Sequence, residues 1–230
     1  MLRFSLRRRC HAPDTIRQME PLQIGVLAVQ GNFREHAAML RTLGADVTEV
    51  RKPEQLEGLD GLVLPGGEST TFTRLMGLYG LDEAIRSFDR PVFGTCAGMI
   101  VLDRSHLGLV DIHVRRNAFG RQLASFETDL DVAGIDGPMR AVFIRAPWIE
   151  DAGDGVEILA SVDDHPVVAR DGRFLVASFH PELTDDTRLH QLFLDAVRAA
   201  RGVGEPHLRL ATGQEVDDVL AQPELRAAGG

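Results

Sequence analysis

The sequence predicts an α/β fold: a single domain with an open, mostly parallel or mixed sheet and helices on both faces. Three observations predict it. In the first half, aliphatic runs alternate with helix-patterned stretches at short intervals. Those runs are unbroken, as strands buried on both faces should be, rather than polar on alternate residues. Glycine-rich or polar stretches follow directly on two of them and on a third apolar run in the second half, where an open α/β sheet places its ligands. Strand, helix, strand in quick succession calls for parallel strands joined by right-handed crossovers.

Each element has its own signal. "QIGVLAV" is a continuous aliphatic strand, and "NFREHAAMLRTLG" follows with apolar residues at helical spacing and a glycine stop at Gly44. "DVTEV" and "GLVLPGG" are strands, the second running into glycines. "STTFTRLMGLYG" and "LDEAIRSF" read as helices, and "PVFGT" as a third central strand. The second half changes texture: "LVDIHVRR", "RQLASFETDLDV", "RAVFIRAP", "VEILASV", "PVVARDG" and "RFLVASFHPEL" read as shorter strands, some in hairpins, with a turn-type Asp-Gly in "ARDGRF". A last helix, "TDDTRLHQLFLDAVRAAR", closes the body, capped by Thr184 or an adjacent Asp.

Composition bounds the functions available. The chain has 230 residues, 44% hydrophobic and 26% charged, which is enough for one full core. It holds no apolar run long enough to cross a bilayer. A net charge of -9 argues against nucleic acid or an anionic membrane as partner. Two cysteines, Cys10 and Cys96, cannot form a disulfide framework, which fits a reducing, cytoplasmic setting. Residues 1–22 are arginine-rich, lack apolar periodicity and read as a disordered extension; residues 202–230 read as a tail with a short amphipathic helix near Gln214–Leu220. The body is therefore 23–201.

Three stretches at strand ends carry chemistry. Gly94-Thr95-Cys96-Ala97-Gly98 has the form of a nucleophile elbow, a sharp strand-to-helix turn that exposes the thiol at a helix N-terminus. The backbone N–H of Ala97 is then free for a developing oxyanion. A buried structural cysteine in a glycine-rich turn is the competing reading. In "SFHPEL", His180 and Glu182 lie two apart in what reads as an extended segment, so both side chains leave one face. A carboxylate there can hold one imidazole nitrogen while the other serves a nucleophile. An ordinary strand end with a surface His and Glu competes, and no further ligands support a metal site. "PGGEST" lets the backbone approach a ligand closely before Glu68 and Ser69 begin a helix; its acid and its lack of a Gly-Lys-Ser/Thr ending argue against phosphate.

These residues together resemble the class I (triad-type) glutamine amidotransferase family, whose fold is flavodoxin-like. "GTCAG" and "HPE" carry the superfamily likeness. "VQGNFREH", "PGGESTT", "RNAFGRQLASFE", "FIRAP" and "SFHPELT" resemble the branch formed by glutaminase subunits of pyridoxal phosphate synthase, from about Gln23 to Arg201. The resemblance implies hydrolysis of L-glutamine to glutamate and ammonia. It implies Cys96 as nucleophile, His180 as base and acid, Glu182 as its orienter, and the N–H groups of Gly67 and Ala97 as oxyanion hole. It implies glutamine contacts from Gly67, Glu68, Ser69, Arg116, Ile144 and Arg145. Taken alone, the two arginines suit an α-carboxylate but read equally as solvated strand residues. The resemblance also implies no cofactor or metal, and a (β/α)8-barrel synthase partner that consumes the ammonia. One departure stands out: "MIVLDRS" leads almost directly into "HLGL", where relatives carry a longer polar loop.

Other functions remain to be weighed. A glutaminase serving a different synthase is disfavoured by "RNAFGRQ" and "FIRAP". A cysteine peptidase on a similar sheet would place an acid after the first strand, where this chain has Gln30. A vestigial binding subunit would have lost a member of the triad, and none is lost.

Overall fold

The computed structural model of the chain describes residues 20–118 and 125–203. The expected extension (apart from its last three residues), most of the expected tail with its helix near Gln214–Leu220, and the start of the strand expected from Arg121 lie outside the described residues. In chain order the elements are β1 (Gln23–Leu27), α1 (Phe33–Thr42), β2 (Asp46–Val50), β3 (Gly61–Leu64), α2 (Ser69–Tyr79), α3 (Leu81–Arg86), β4 (Val92–Thr95) and α4 (Ala97–Leu102). There follow β5 (Ile112–Arg115), β6 (Ser125–Leu130), β7 (Met139–Ile144), β8 (Trp148–Ala152), β9 (Glu157–Val162), β10 (His165–Asp171), β11 (Phe174–Ala177) and α5 (Arg188–Val203).

Seven strands form one sheet in the order β2-β1-β3-β4-β11-β10-β9. The first five are parallel, and β10 and β9 run antiparallel at the edge. The sheet is thus mixed, as the sequence predicts. Period-two alternation sorts the central strands between two cores. Ile24, Val26, Val63, Phe93, Leu175 and Ala177 face one side, where Ala37 and Leu40 of α1 and Leu189, Phe193 and Val197 of α5 cover them. Leu27, Leu62, Leu64, Val92, Phe174 and Val176 face the other, beneath Phe72 and Met76 of α2, Leu81 and Ile85 of α3, and α4. Burial on both faces is why these runs show no polar alternation.

The second half departs from the simple α/β rhythm. β6 pairs with β7, and β5 with β8, as two separate antiparallel ladders. The sequence reading missed β8, whose "WIEDA" carries adjacent acids and buries only Ile149 fully. Two tight turns build the antiparallel edge. Gly172-Arg173 joins β10 to β11 directly after Asp171, with Gly172 at φ 55. Asp163 and Asp164 join β9 to β10 with φ of 47 and 62, the pair of positive angles that matches a two-residue hairpin to strand twist.

One local expectation is overturned. His180 and Glu182 do not lie in a strand: β11 ends at Ala177, and Pro181–Leu183 form a single 3-10 turn. Pro181 holds φ near −65° and lacks an N–H, which suits the first position of such a turn and ends the extended run. At α5, Asp186 Oδ1 accepts the Arg188 N–H at 3.0 Å, so the acid alternative to Thr184 caps the helix; Thr184 Oγ1 accepts from Asp186 N instead.

The topology fixes where a ligand can sit. The chain leaves β1 toward β2 on one side and later runs from β3 to β4 on the other. The carboxyl ends of β1 and β3 therefore flank the crevice where strand order reverses. The α5 face contributes heavily to stability. Phe193 is 1% exposed and stacks at a tilt on Phe93, with ring centroids 5.8 Å apart. We expect Phe193→Ala to cost about 3–5 kcal/mol, read as a lower urea midpoint with an unchanged slope.

Candidate active site

Cys96 lies between β4 and α4 with φ 46 and ψ −102, a strained conformation for a residue with a side chain. Its N–H donates to Ala177 O of β11 at 2.8 Å, which pins the turn to the neighbouring strand. Glycine is required on both sides. A Cβ on Gly98 would lie 2.1 Å from Leu64 O, and one on Gly94 would lie 2.9 Å from Gly98 C. Ala97 opens α4 and is fully buried; as the first residue of a helix its N–H has no partner within the helix.

His180 follows β11 and reaches over the end of β3. A Cβ on Gly66 would fall 2.4 Å from His180 Cε1 and 3.3 Å from Cys96 Cβ, so only glycine lets loop, imidazole and thiol meet. His180 and Cys96 face each other across Gly66, and the His180 Nδ1 lies 2.8 Å from Glu182 Oε1. The 3-10 turn, not a strand face, brings the imidazole and carboxylate together. Both are buried: His180 is 6% exposed and Glu182 5%.

Electrostatics inside this pocket oppose one another. Burial disfavours the charged form of His180, but its hydrogen bonds to Cys96 and Glu182 favour it, and the result is a rise from 6.5 to about 10. Burial would likewise raise Glu182; the facing His36 and His180 imidazoles outweigh it and lower the carboxyl from 4.5 to about 2. The arrangement is a buried carboxylate holding an imidazole that faces a thiol. It can move a proton off sulfur and return it to a leaving group.

In front of the thiol lies a cleft of about 320 Å³. Gly67, Glu68, Ser69, Cys96, Arg116, Ile144, Arg145 and His180 all line it. The structure therefore gathers into one cavity every residue assigned a glutamine contact, although they come from three separate stretches of chain. Glu182 and Ala97 sit behind the lining. Gly67 has φ 156, and a Cβ there would fall 2.5 Å from Gln30 Nε2. Glu68 does more than line the cleft. It caps α2, its carboxylate accepting the N–H groups of Thr70 at 3.0 Å and Thr71 at 2.7 Å; the Thr71 side chain first, and then those backbone bonds, lower it to about 2. Arg116 Nη2 stands 3.8 Å from Glu68 Oε1 and donates to Thr70 Oγ1 at 3.5 Å. Arg145 follows β7 with φ 45.

Several contributors escape sequence reasoning. Asn32 occupies the N-cap position of α1, where asparagine reads as a cap. Its side chain makes no cap bond, and Nδ2 donates to Glu182 Oε1 at 3.1 Å instead. Gln30 accepts the Glu68 N–H at 3.3 Å and donates to Glu68 O at 3.1 Å, bracing the loop after β3. His36 Nε2 lies 3.3 Å from Glu182 Oε2. Each of these contacts spans 38 residues or more, and no local pattern signals them.

Comparison with known proteins gives a consistent picture. The model of the SNO glutamine amidotransferase family matches residues 26–199. A protein of Parafrankia sp. (strain EAN1pec), named pyridoxal 5'-phosphate synthase subunit PdxT, is 55% identical over 198 residues, covering 80% of this chain and 98% of that protein. One of the same name from Geobacillus kaustophilus (strain HTA426) is 55% identical over 190 residues, covering 78% and 97%. A crystal structure described as glutamine amidotransferase shares 49% identity with a TM-score of 0.72, covering 76% of this chain and 98% of its own.

The depressed carboxyl makes a signed prediction. Ionised Glu182 stabilises the fold above its unfolded value of 4.5, and that contribution drains away as pH falls toward about 2. The wild-type advantage over Glu182→Gln in urea midpoint should be level near neutrality and shrink below pH 4.5.

Proposed function

We propose the following function for this chain, which belongs to the SNO glutamine amidotransferase family: it is the glutaminase subunit of a pyridoxal phosphate synthase, hydrolysing L-glutamine to glutamate and ammonia for vitamin B6 synthesis. The single observation that carries the reaction is the buried Cys96–His180–Glu182 contact at the floor of a cleft lined by the loop after β3. The relatives' names supply the pathway.

His180 takes the thiol proton, and the Cys96 sulfur attacks the side-chain amide carbon of glutamine. The carbonyl oxygen becomes an oxyanion held by the N–H groups of Gly67 and Ala97. His180 then gives its proton to the amide nitrogen, the C–N bond breaks, and ammonia leaves behind a γ-glutamyl thioester. Water attacks the thioester with His180 as base, and glutamate departs as the sulfur recovers its charge. Glu182 stays ionised throughout and keeps Nδ1 protonated, so the other ring nitrogen does the proton work. Arg116 and Arg145 offer guanidinium groups to the α-carboxylate, while Glu68, Ser69 and Ile144 complete the substrate wall.

Ammonia passes to a partner synthase subunit built as a (β/α)8 barrel, and the pair works in the cytoplasm. Among the described residues no helix is long and apolar enough to cross a membrane. Free glutaminase activity would waste glutamine, so turnover is expected to depend on the partner. The test is glutamate released from glutamine by the purified chain, alone and with a pyridoxal phosphate synthase barrel subunit. Release should rise sharply with the partner, and Cys96→Ala should abolish it while keeping the fold. Full release from that variant would remove Cys96 from the chemistry; a rate indifferent to the partner would point to a different synthase.

A further inference from the structure

Behind the catalytic imidazole lies a second layer of buried histidines that hydrolysis as described does not use. His36 of α1, His190 of α5 and Thr95 of β4 are all 0% exposed. His36 Nδ1 lies 2.8 Å from His190 Nε2, and its Nε2 lies 3.1 Å from Thr95 Oγ1 and 3.3 Å from Glu182 Oε2. Phe93 meets both rings edge-on, at 6.3 Å and 5.7 Å between centroids, and fixes their planes. Among the described residues no group of three such side chains is arranged to hold a metal ion. The cluster is a hydrogen-bonded one.

Its proton positions follow from its partners. Glu182 is an ionised acceptor, so the nitrogen facing it, His36 Nε2, carries a proton. His36 is held neutral, first by burial, which leaves Nδ1 as an acceptor for His190 Nε2–H. His190, lowered to about 3 by burial, is neutral too, and its Nδ1 is left as an unpaired acceptor. Glu182 Oε1 already takes His180 Nδ1 and Asn32 Nδ2, whereas the buried Oε2 has no hydrogen-bond partner other than what His36 can offer at 3.3 Å.

We propose that His36 is a positioning residue for this site: its Nε2, hydrogen-bonded to Thr95 Oγ1 and 3.3 Å from Glu182 Oε2, holds the carboxylate electrostatically so that Oε1 stays committed to His180 Nδ1. His190 sets the tautomer that makes this possible. The proposal rests on the reading of Cys96, His180 and Glu182 as the catalytic groups. The charged or titratable groups facing His36 are Glu182 and His180 from the segment after β11, His190 from α5, and Glu35 on its own helix.

Two variants of matched polarity test it. In His36→Gln the amide nitrogen can reach the place of Nε2; in His36→Asn it reaches only the place of Nδ1. With the full chain and its synthase partner, His36→Asn should lose about 10-fold or more in kcat relative to His36→Gln, with KM little changed, the scale on which an outer hydrogen-bond partner of a histidine acts at metal sites. The pH at which His180 releases its proton, followed by imidazole NMR on the full chain, should fall by about one unit in His36→Asn and stay near wild type in His36→Gln, as loss of one charge-assisted hydrogen bond requires. Equal kcat and equal His180 titration in the two variants would overturn the proposal. So would equal losses of kcat with an unmoved titration, since that is a packing defect. If the wild type itself releases no glutamate, the glutaminase reading fails, and the NMR titration still decides the role of His36.

Discussion

The whole site depends on backbone approaching backbone where no side chain fits. Gly98 packs against the Leu64 carbonyl, Gly66 against the His180 ring, and Gly94 against Gly98. Only these contacts let the end of β3, the elbow after β4 and the turn after β11 converge on one thiol. The strained backbone at Cys96 is held by the same convergence, through its bond to Ala177 and the short helix that begins at Ala97. A methyl group at Gly66 or Gly98 would push apart the elements that the parallel register has aligned.

Convergence creates an electrostatic problem, because it buries a carboxylate. An ionised group out of water is tolerated only when its oxygens are met by donors. Glu182 meets His180 and Asn32 at one oxygen and His36 near the other. Those donors come from the loop after β1, from α1 and from the turn after β11, so three elements must be in place before the acid is held. Folding and preparation of the imidazole are therefore one event. The lowered carboxyl and the raised imidazole are two sides of the same arrangement.

What could be read in the sequence was whatever is local. Unbroken aliphatic runs gave β1, β3 and β4 because both faces of those strands are covered. The elbow was legible because its glycines surround the cysteine within five residues. The cap role of Glu68 was not seen, although an acid just before a helix is a local sign. β8 was missed because its partner β5 lies far along the chain and its pattern is mostly solvated. The extended reading of "SFHPE" failed because Pro181 starts a turn as readily as it ends a strand. Asn32, Gln30, His36 and His190 act across 38 to 154 residues, and such contacts exist only once the sheet has formed.

The cleft is therefore made of two materials with different physics. Its floor is buried, hydrogen-bonded and braced by the sheet: Cys96, His180 and Glu182 have little freedom to move. Its rim is exposed and loop-built. Arg116 and Arg145 reach in from the ladders of the second half, and Asn117 and Arg145 hold left-handed backbone at φ 49 and 45 without being glycine. Glu68 links the two: its carboxylate is spent on capping α2, while its N–H and carbonyl are clamped by Gln30 at the edge of the glycine loop. A rigid floor suits bond making, since groups already in place need no reorganisation as charge develops. A rim of exposed arginines suits substrate capture and release, and it lies beside the loop whose Gly67 N–H is proposed for the oxyanion hole. Changes at the rim can therefore reach the chemistry through the Gln30–Glu68 clamp, without any movement of the floor.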